Sequence, residues 1–152
     1  MIESTTRRTP IAGWISIIFL VLLGIGAISG GACLVAKPDG SIMGFEPDIL
    51  AGSPFTDFLV PGLILGGLFG IGSLVVAVLG ARRLAAAPFL AFAIGFGQML
   101  WIIVQLAIIK EVSFLHPTMF GIGLVIAASA VAWGWGSFHA WMLRRATAPH
   151  AA

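Results

Sequence analysis

The residues best suited to bind a cofactor or to move protons are the three histidines, His116, His139 and His150. Two histidines at one depth of a helix bundle can ligate haem, and a single one can relay protons. His116 and His139 are 23 residues apart in one apolar segment, which is about 35 Å of helix. One haem does not bridge that distance, so no cofactor is predicted, and His139 is interpreted as a neutral histidine bonded within the helix packing or facing the inner interface.

Carboxylates gather in one polar stretch, residues 37–57, which holds Asp39, Glu46, Asp48 and Asp57. Hard divalent cations prefer such oxygen ligands, but the spacing matches no known cation-binding loop. Solvated acids that help to set orientation are therefore the favoured interpretation, and no metal is predicted. Asp57, expected in the first turn of a helix where the dipole favours negative charge, and His116 form a candidate site on the outer face.

Gln98 and Gln105 are the main polar residues inside the apolar segments. They are seven residues apart, so on a helix they share a face and are expected to point into a bundle and bond to other helices. A substrate-binding role stays open as the alternative for this polar intramembrane site. The structural role is favoured because such bonds need no ligand to explain them.

The sequence lacks the residues that several kinds of chemistry require. A single cysteine, Cys33, excludes an internal disulfide and a paired-cysteine redox centre. The long apolar segments carry no Asp, Glu, Lys or Arg, whereas ion-coupled transporters usually keep such a residue at the membrane midplane. A hydrolase elbow motif is also missing. The net charge of +2 comes from dispersed basic residues, which disfavours nucleic acid as a partner. The chain is therefore predicted not to be an enzyme.

The elements that must position these residues are four apolar runs, in a chain of 152 residues that is 59% hydrophobic and 9% charged. A membrane-spanning helix needs about 20 apolar residues. The sequence predicts one all-α membrane domain, with proline near each helix start and with Thr9 and Ser53 as N-cap residues. The predicted ranges are helix 1 about 11–36, outer loop 37–54, helix 2 about 55–81, inner loop 82–88, helix 3 about 89–109, outer loop 110–117, helix 4 about 118–143 and tail 144–152.

Arginine pairs predict the orientation of these helices. Arg7-Arg8, Arg82-Arg83 and Arg144-Arg145 would all lie on one side of the membrane after an even number of crossings. Because cytoplasmic loops retain Lys and Arg, both termini are expected in the cytoplasm, in a bacterial inner membrane. An acylated lipoprotein signal ending at Cys33 is the disfavoured alternative, since the first run is longer than a signal core.

Small residues mark a stripe along the second run. Helices in lipid associate through small residues that let their backbones approach closely. The short predicted loops favour an up-down-up-down four-helix bundle with this stripe packed inside it, although dimerisation or the lining of a pore stays open. The stripe consists of Gly62, Gly66, Gly70, Ser73 and Ala77. Its candidate partners are Gly24, Ala27, Gly30 and Gly31 in the first run, and Gly121, Ala128, Ala132 and Gly136 in the fourth.

The segment from Ser53 to Gly62 reads SPFTDFLVPG. It resembles uncharacterised small bacterial proteins with four transmembrane helices, in which the segment has the form SPFxD[FY]L[IV]PG. The likeness extends to the stretch Trp101–Gln105 and to His116-Pro117, where that group is associated with glutamine-proline. The resemblance implies fold and location but no activity.

Together these patterns predict a multi-pass membrane protein that acts as a non-enzymatic accessory, assembly or lipid-contacting component. Its expected partners are the lipid bilayer and either further copies of itself or another membrane protein. The alternative is a small oligomeric transporter or channel that uses Gln98 and Gln105 as lining groups.

Overall fold

Four helices make up most of the protein in a computed structural model that describes residues 9–45, 47–109 and 114–146, with the backbone alone at 47, 48, 109 and 137–146. They are α1, Ile11–Ala36; α2, Leu59–Ala81; α3, Ala87–Ile109; and α4, Leu115–Ala146. Each is long and apolar enough to cross a membrane, and no strand occurs within the described ranges. Among the residues considered above, Arg7, Arg8, Glu46 and His150 lie outside the described residues, as do the side chains of Asp48, His139, Arg144 and Arg145.

Neighbouring helices in the bundle run in opposite directions. Gly31 near the end of α1 lies against Gly62 and Gly66 near the start of α2, and Gly24 lies against Gly70. The same reversal relates α2 to α3, α3 to α4, and α4 to α1, whereas α1 and α3 barely meet. The helices therefore form a ring of four, with a core of buried side chains at its centre: Ile17, Leu20, Leu23, Val76, Ala77, Ala87, Ala91, Ile126, Ala130 and Trp133.

Helix α2 begins at Leu59, four residues later than the predicted start at 55. The cause is Phe58, whose backbone N–H donates to the Pro38 carbonyl over 2.8 Å and whose ring packs on Phe45 at 5.0 Å. Residues up to 58 are thereby held in the outer loop. Pro61 consequently lies in the first turn of α2, where its missing N–H is not needed by the helix.

The predicted caps and the bounds of the last helix also differ from the structure. Pro10, rather than Thr9, is the N-cap of α1 and makes no side-chain cap bond. The Ser53 hydroxyl accepts from the Phe55 N–H at 3.1 Å within a turn, far from any helix start. The last helix runs over Leu115–Ala146 instead of 118–143, so Pro117 is its third residue. Proline at such a position still falls in the first turn, where the helix tolerates it.

An unusual feature of α2 is an eight-residue π-helical segment, Ile64–Ile71, between two α-helical parts. The Gly72 N–H donates to the Gly67 carbonyl, five residues back, instead of the usual four. The segment contains Gly66, Gly67 and Gly70, whose missing side chains tolerate both the wider turn and the nearby backbone of α1. The positions of the following side chains are shifted around the helix axis, and Ser73 is the first polar one after the segment.

The turn after α2 is closed by a Schellman motif. The Leu84 N–H donates to the Leu79 carbonyl at 3.0 Å, and the Arg83 N–H donates to the Gly80 carbonyl at 2.9 Å. The motif requires a left-handed residue, usually glycine, and here Arg83 occupies it with φ of 60°. The short turn fixes α3 beside α2 and places Arg82 and Arg83, both exposed, at the end of the bundle.

Candidate functional site

The glycine stripe of α2 packs against α1. A β-carbon added to Gly31 would lie 2.5 Å from the Gly66 nitrogen, and one added to Gly62 would lie 2.8 Å from the Leu34 β-carbon. A β-carbon on Gly70 would meet Ile28 in the same way. Ser73 and Ala77, which complete the stripe, are buried. Because the two backbones touch here, no gap for a pore lies between α1 and α2.

The second set of expected partners, on α4, does not meet this stripe. Ala128, Ala132 and Gly136 are exposed, and a β-carbon added to Gly121 or Gly136 would meet nothing within 4 Å. The expectation that this face packs inside the bundle is wrong. The inward face of α4 is instead formed by Gly123, Ile126, Ala127, Ala130 and Trp133.

The two glutamines of α3 differ in their surroundings. Gln98 is 1% exposed and lies in the centre of the bundle, whereas Gln105 is only half-buried. The Gln98 Oε1 atom accepts no hydrogen bond from any described residue. The expected bond from this oxygen to another helix is therefore not formed. A direct polar contact across the bundle is instead made by Ser16 on α1 and Ser129 on α4, whose hydroxyl oxygens are 2.7 Å apart.

Two further buried polar atoms resemble the Gln98 oxygen in lacking a described hydrogen-bond partner. The Ser73 Oγ of α2 and the Trp101 Nε1 of α3 have no hydrogen-bond partner among the described residues. Ser73 is completely buried.

Contacts between α2 and α3 give the levels of Ser73, Gln98 and Trp101 along the bundle. Phe69, one turn before Ser73, has its ring centroid 6.0 Å from that of Trp101, and a β-carbon on Gly97 would lie 3.5 Å from the Phe69 ring. Gly72 faces Ile94 across the same contact. Gln98 and Trp101 are three residues apart and share a face of α3. With Gly72 beside Ile94 and Phe69 beside Gly97, Ser73 lies about one and a half helical turns from Gln98 and about two turns from Trp101 along the bundle axis.

Hydroxyls elsewhere in the described helices do have partners. Ser16 bonds to Ser129 across the bundle, and three others bond to the backbone nearby. Ser29, Thr118 and Ser129 each donate to the backbone carbonyl four residues back, at 2.9, 2.8 and 2.6 Å. Ser73 would have to reach Phe69, which belongs to the π-helical segment, and does not. A buried polar group without a partner costs about 1–3 kcal/mol.

The outer segment between α1 and α2 is folded onto the bundle end. The Gly40 N–H donates to the Lys37 carbonyl at 3.0 Å, which closes the predicted turn at Pro38-Asp39-Gly40, and Gly40 has φ of 78° beneath the rings of Phe45 and Phe58. Two short 3₁₀ turns follow, at Ser41–Met43 and Pro47–Leu50.

The two carboxylates of this segment that the structure describes, Asp39 and Asp57, bond to its backbone. Asp39 accepts from the Ser41 N–H at 3.0 Å. This bond, followed by the Ser41 hydroxyl and the charge of Lys37, lowers the pKa of the Asp39 carboxyl from its usual value. Asp57 accepts from the Leu59 N–H at 2.9 Å, so it precedes α2 instead of lying in its first turn as expected.

His116 is half-buried in the first turn of α4. Within the described part of the chain, no three histidine, cysteine or acidic side chains gather as metal ligands would. Asp39 and Asp57 have a structural account, because each closes a turn of the segment between α1 and α2.

Sequence reasoning named Ser73 as a packing residue and Gln98 as a polar one, but it did not count the Trp101 N–H among the polar groups of α3. The signal was available, because Trp101 follows Gln98 by three residues and must share its helix face. The π-helical segment that leaves the Ser73 hydroxyl without its usual carbonyl has no comparable signature. No protein-family model, no curated protein and no solved structure matches this chain.

Proposed function

We propose that the protein is a four-span component of a bacterial inner membrane, with both termini in the cytoplasm, that acts by contact with a membrane protein partner and not by catalysis. Four apolar helices of sufficient length support the crossings. The residues around Gly13, Gly80 and Trp133 lie together at one end of the bundle. Arg82-Arg83 belong to that end, and Arg7-Arg8 and Arg144-Arg145 adjoin it along the chain, which supports a cytoplasmic placement.

The observation that carries the accessory role is the outward face of α4. Ala128, Ala132 and Gly136 recur every four residues on this face and are exposed. Small residues at this spacing allow another helix to approach closely in lipid. The exposed surface of α3 includes large side chains such as Leu100 and Ile103, which hold a second backbone away. We therefore assign α4 as the contact helix, and its occupant as a transmembrane helix of another protein.

Site-specific photo-crosslinking in the native membrane tests this role. A photoreactive amino acid at Ala132 should give one defined adduct with a different membrane protein, because a helix packed on this face lies within reach. The matched control is the same amino acid at Ile103, which is about half exposed on α3 and should give lipid adducts only. Equal labelling of many proteins at both positions, or none at Ala132, would contradict the proposal.

The same experiment tests the alternative, a small oligomeric transporter or channel. Gln98 in the bundle interior is the feature that favours transport, since polar groups within a membrane often mark a solute path. An adduct between two copies of this chain at Ala132 would favour that alternative. Solute flux in vesicles, lost on Gln105→Leu with folding intact, would then establish it.

A further inference from the structure

The turn between α2 and α3 carries two adjacent arginines, one of them in an unusual backbone conformation. Arg82 is the C-cap residue of α2, and Arg83 follows it with φ of 60°. Among the described residues, Arg83 is the only one other than glycine with a positive φ. Glycine would close the same turn without steric cost, so the turn itself does not account for an arginine at this position.

The two arginines place positive charge at one end of the bundle. Both side chains are exposed. The carboxylates whose side chains the structure describes, Asp39 and Asp57, lie beyond the opposite end of α2, a helix of 23 residues. That length is about 35 Å, which is several times the distance over which salt screens charges in solution. Within the described part of the chain, no carboxylate therefore compensates the charge of the pair.

Arg82 continues an apolar stripe on the outer surface of α2. Val75 and Val78 are about half exposed, at 51% and 49%. Residues three and seven positions apart lie on one face of a helix, so Val75, Val78 and Arg82 are in line along α2. Leu84, just after the arginine pair, is also exposed. An apolar stripe that ends in positive charge matches an amphiphile with apolar chains and an anionic headgroup.

The type of basic residue at this end indicates the chemistry of the headgroup. The six arginines of the chain, at 7–8, 82–83 and 144–145, precede α1, follow α2 and fall at the end of α4, whereas the two lysines, at 37 and 110, follow α1 and α3. Lysine and arginine serve equally as orientation signals, so orientation does not require this division. The planar guanidinium binds phosphate through two parallel hydrogen bonds, which an ammonium group cannot do. Arginine at this end therefore favours a phosphate group.

We propose that Arg82 and Arg83 bind the phosphate of an anionic phospholipid whose acyl chains lie against Val75 and Val78 of α2. Arg83 keeps its left-handed conformation because its guanidinium adds a second phosphate ligand next to Arg82. A zwitterionic lipid binds less well, since its ammonium group offsets the charge of its phosphate. The site is separate from the outward face of α4, and it holds whether or not another protein packs there.

Native mass spectrometry of the full-length protein in detergent, titrated with lipid, tests the proposal. Phosphatidylglycerol should bind more tightly than phosphatidylcholine with the same acyl chains. Arg83→Gln should weaken phosphatidylglycerol binding by about fivefold, the effect of one basic residue at a lipid headgroup, and leave phosphatidylcholine binding unchanged. Lys37→Gln removes the same charge from an exposed residue at the other end and is the matched control, with unchanged affinity.

The same titration identifies the outcomes that would overturn the proposal. They are the absence of a preference for phosphatidylglycerol, unchanged binding in Arg83→Gln, and equal weakening in Arg83→Gln and Lys37→Gln. Inorganic phosphate in excess should not displace the lipid, because it lacks the chains that lie on α2. Displacement by phosphate would identify a site for the free anion and overturn the assignment to lipid.

A thermal measurement uses the backbone conformation of Arg83. Arg83→Gly removes the charge but suits the left-handed turn better, so in phosphatidylcholine nanodiscs this variant should melt about 2–4 °C higher than the unsubstituted protein. In phosphatidylglycerol nanodiscs the bound lipid stabilises the unsubstituted protein, so the gain should shrink or reverse. A variant that folds poorly would instead lose stability equally in both lipids. The same change of melting temperature in both lipids would show that Arg83 does not bind the headgroup and would overturn the proposal.

Discussion

Two faces of this protein look alike in sequence and differ in the structure. Gly62, Gly66 and Gly70 on α2 and Ala128, Ala132 and Gly136 on α4 both place a small residue every fourth position. The first face is closed against α1, with the Gly66 backbone 2.5 Å from where a Gly31 β-carbon would be. The second is exposed, and a β-carbon on Gly136 would meet nothing.

The difference shows what the spacing of small residues means. Such a stripe identifies a surface that another helix can approach closely, but it does not identify the helix. On α2 the partner has complementary glycines, Gly24 and Gly31, in the adjacent helix of the chain. On α4 the inward side is already occupied by α1 and α3, which meet Ala130, Trp133 and Gly123. The small residues of its other side are exposed.

The largest effect is expected when the closed face is forced apart. Gly31→Ala places a methyl group 2.5 to 2.7 Å from backbone atoms of Gly66 and Gly62, and backbone cannot move aside without separating the helices. Overpacking of this kind costs about 3 kcal/mol, which lowers the melting temperature by about 6–12 °C in a chain of this length. The measurement is thermal unfolding in nanodiscs.

Gly26→Ala is the matched control for that substitution. Gly26 lies in the same helix, is exposed, and has no atom within 4 Å of an added β-carbon. Alanine is the better helix former by up to about 1 kcal/mol, so this variant should melt at the same temperature or slightly higher. Equal losses in both variants would show that the α1–α2 contact is not as close as the structure has it.

A smaller effect is expected from alanine substitution of two α4 glycines, one on the inward side of the helix and one on its outward side. The β-carbon added by Gly123→Ala would lie 2.8 Å from the Gly95 carbonyl oxygen and 3.0 Å from Met99, whereas the β-carbon added by Gly121→Ala would meet nothing within 4 Å. Because the nearest atom is a backbone carbonyl, but one slightly farther away than the backbone atoms around Gly31, the first should cost about 2 kcal/mol of unfolding free energy, and the second should stabilise slightly. Urea or thermal unfolding of both variants measures the difference. A reversed order would exchange the inward and outward sides of α4 and with them the proposed contact face.

The sequence predicted the helical part of the fold because its signals are local. Charge-free runs of sufficient length are decided by hydrophobicity alone, and the predicted bounds 11–36 coincide with α1. The start of α2 could not be predicted, because it depends on a bond from Phe58 to Pro38, twenty residues earlier in the chain. The predicted caps at Thr9 and Ser53 were wrong. Both residue types suit an N-cap, but the local turn decides whether a cap forms.

The site was predictable only in its parts. Gln98 was identified as a polar residue facing inward, but the sequence could not show that its oxygen would lack a partner. That depends on which side chains of α2 stand opposite, and the π-helical segment Ile64–Ile71 alters this register without a sequence pattern of its own. Which of the two small-residue faces packs inside the bundle could not be predicted either, because it depends on how each helix is rotated about its axis.

The smallest effect is expected where α1 meets α4 through the hydroxyls of Ser16 and Ser129 rather than through glycines. Ser129 also donates to the Val125 carbonyl at 2.6 Å, while the fully buried Ser16 has Ser129 as its partner at 2.7 Å. Ser16→Ala should therefore cost about 0.5–1 kcal/mol, and Ser129→Ala about 1–2 kcal/mol because it leaves the Ser16 hydroxyl unpartnered. The double variant should cost less than the sum of the two single ones. Ser29→Ala, at an exposed serine bonded to its own helix, is the control and should change unfolding by less than about 0.5 kcal/mol. Equal costs for the two single variants would mean that Ser16 can turn to a carbonyl of its own helix, and the pair would then contribute nothing to holding α4 against α1.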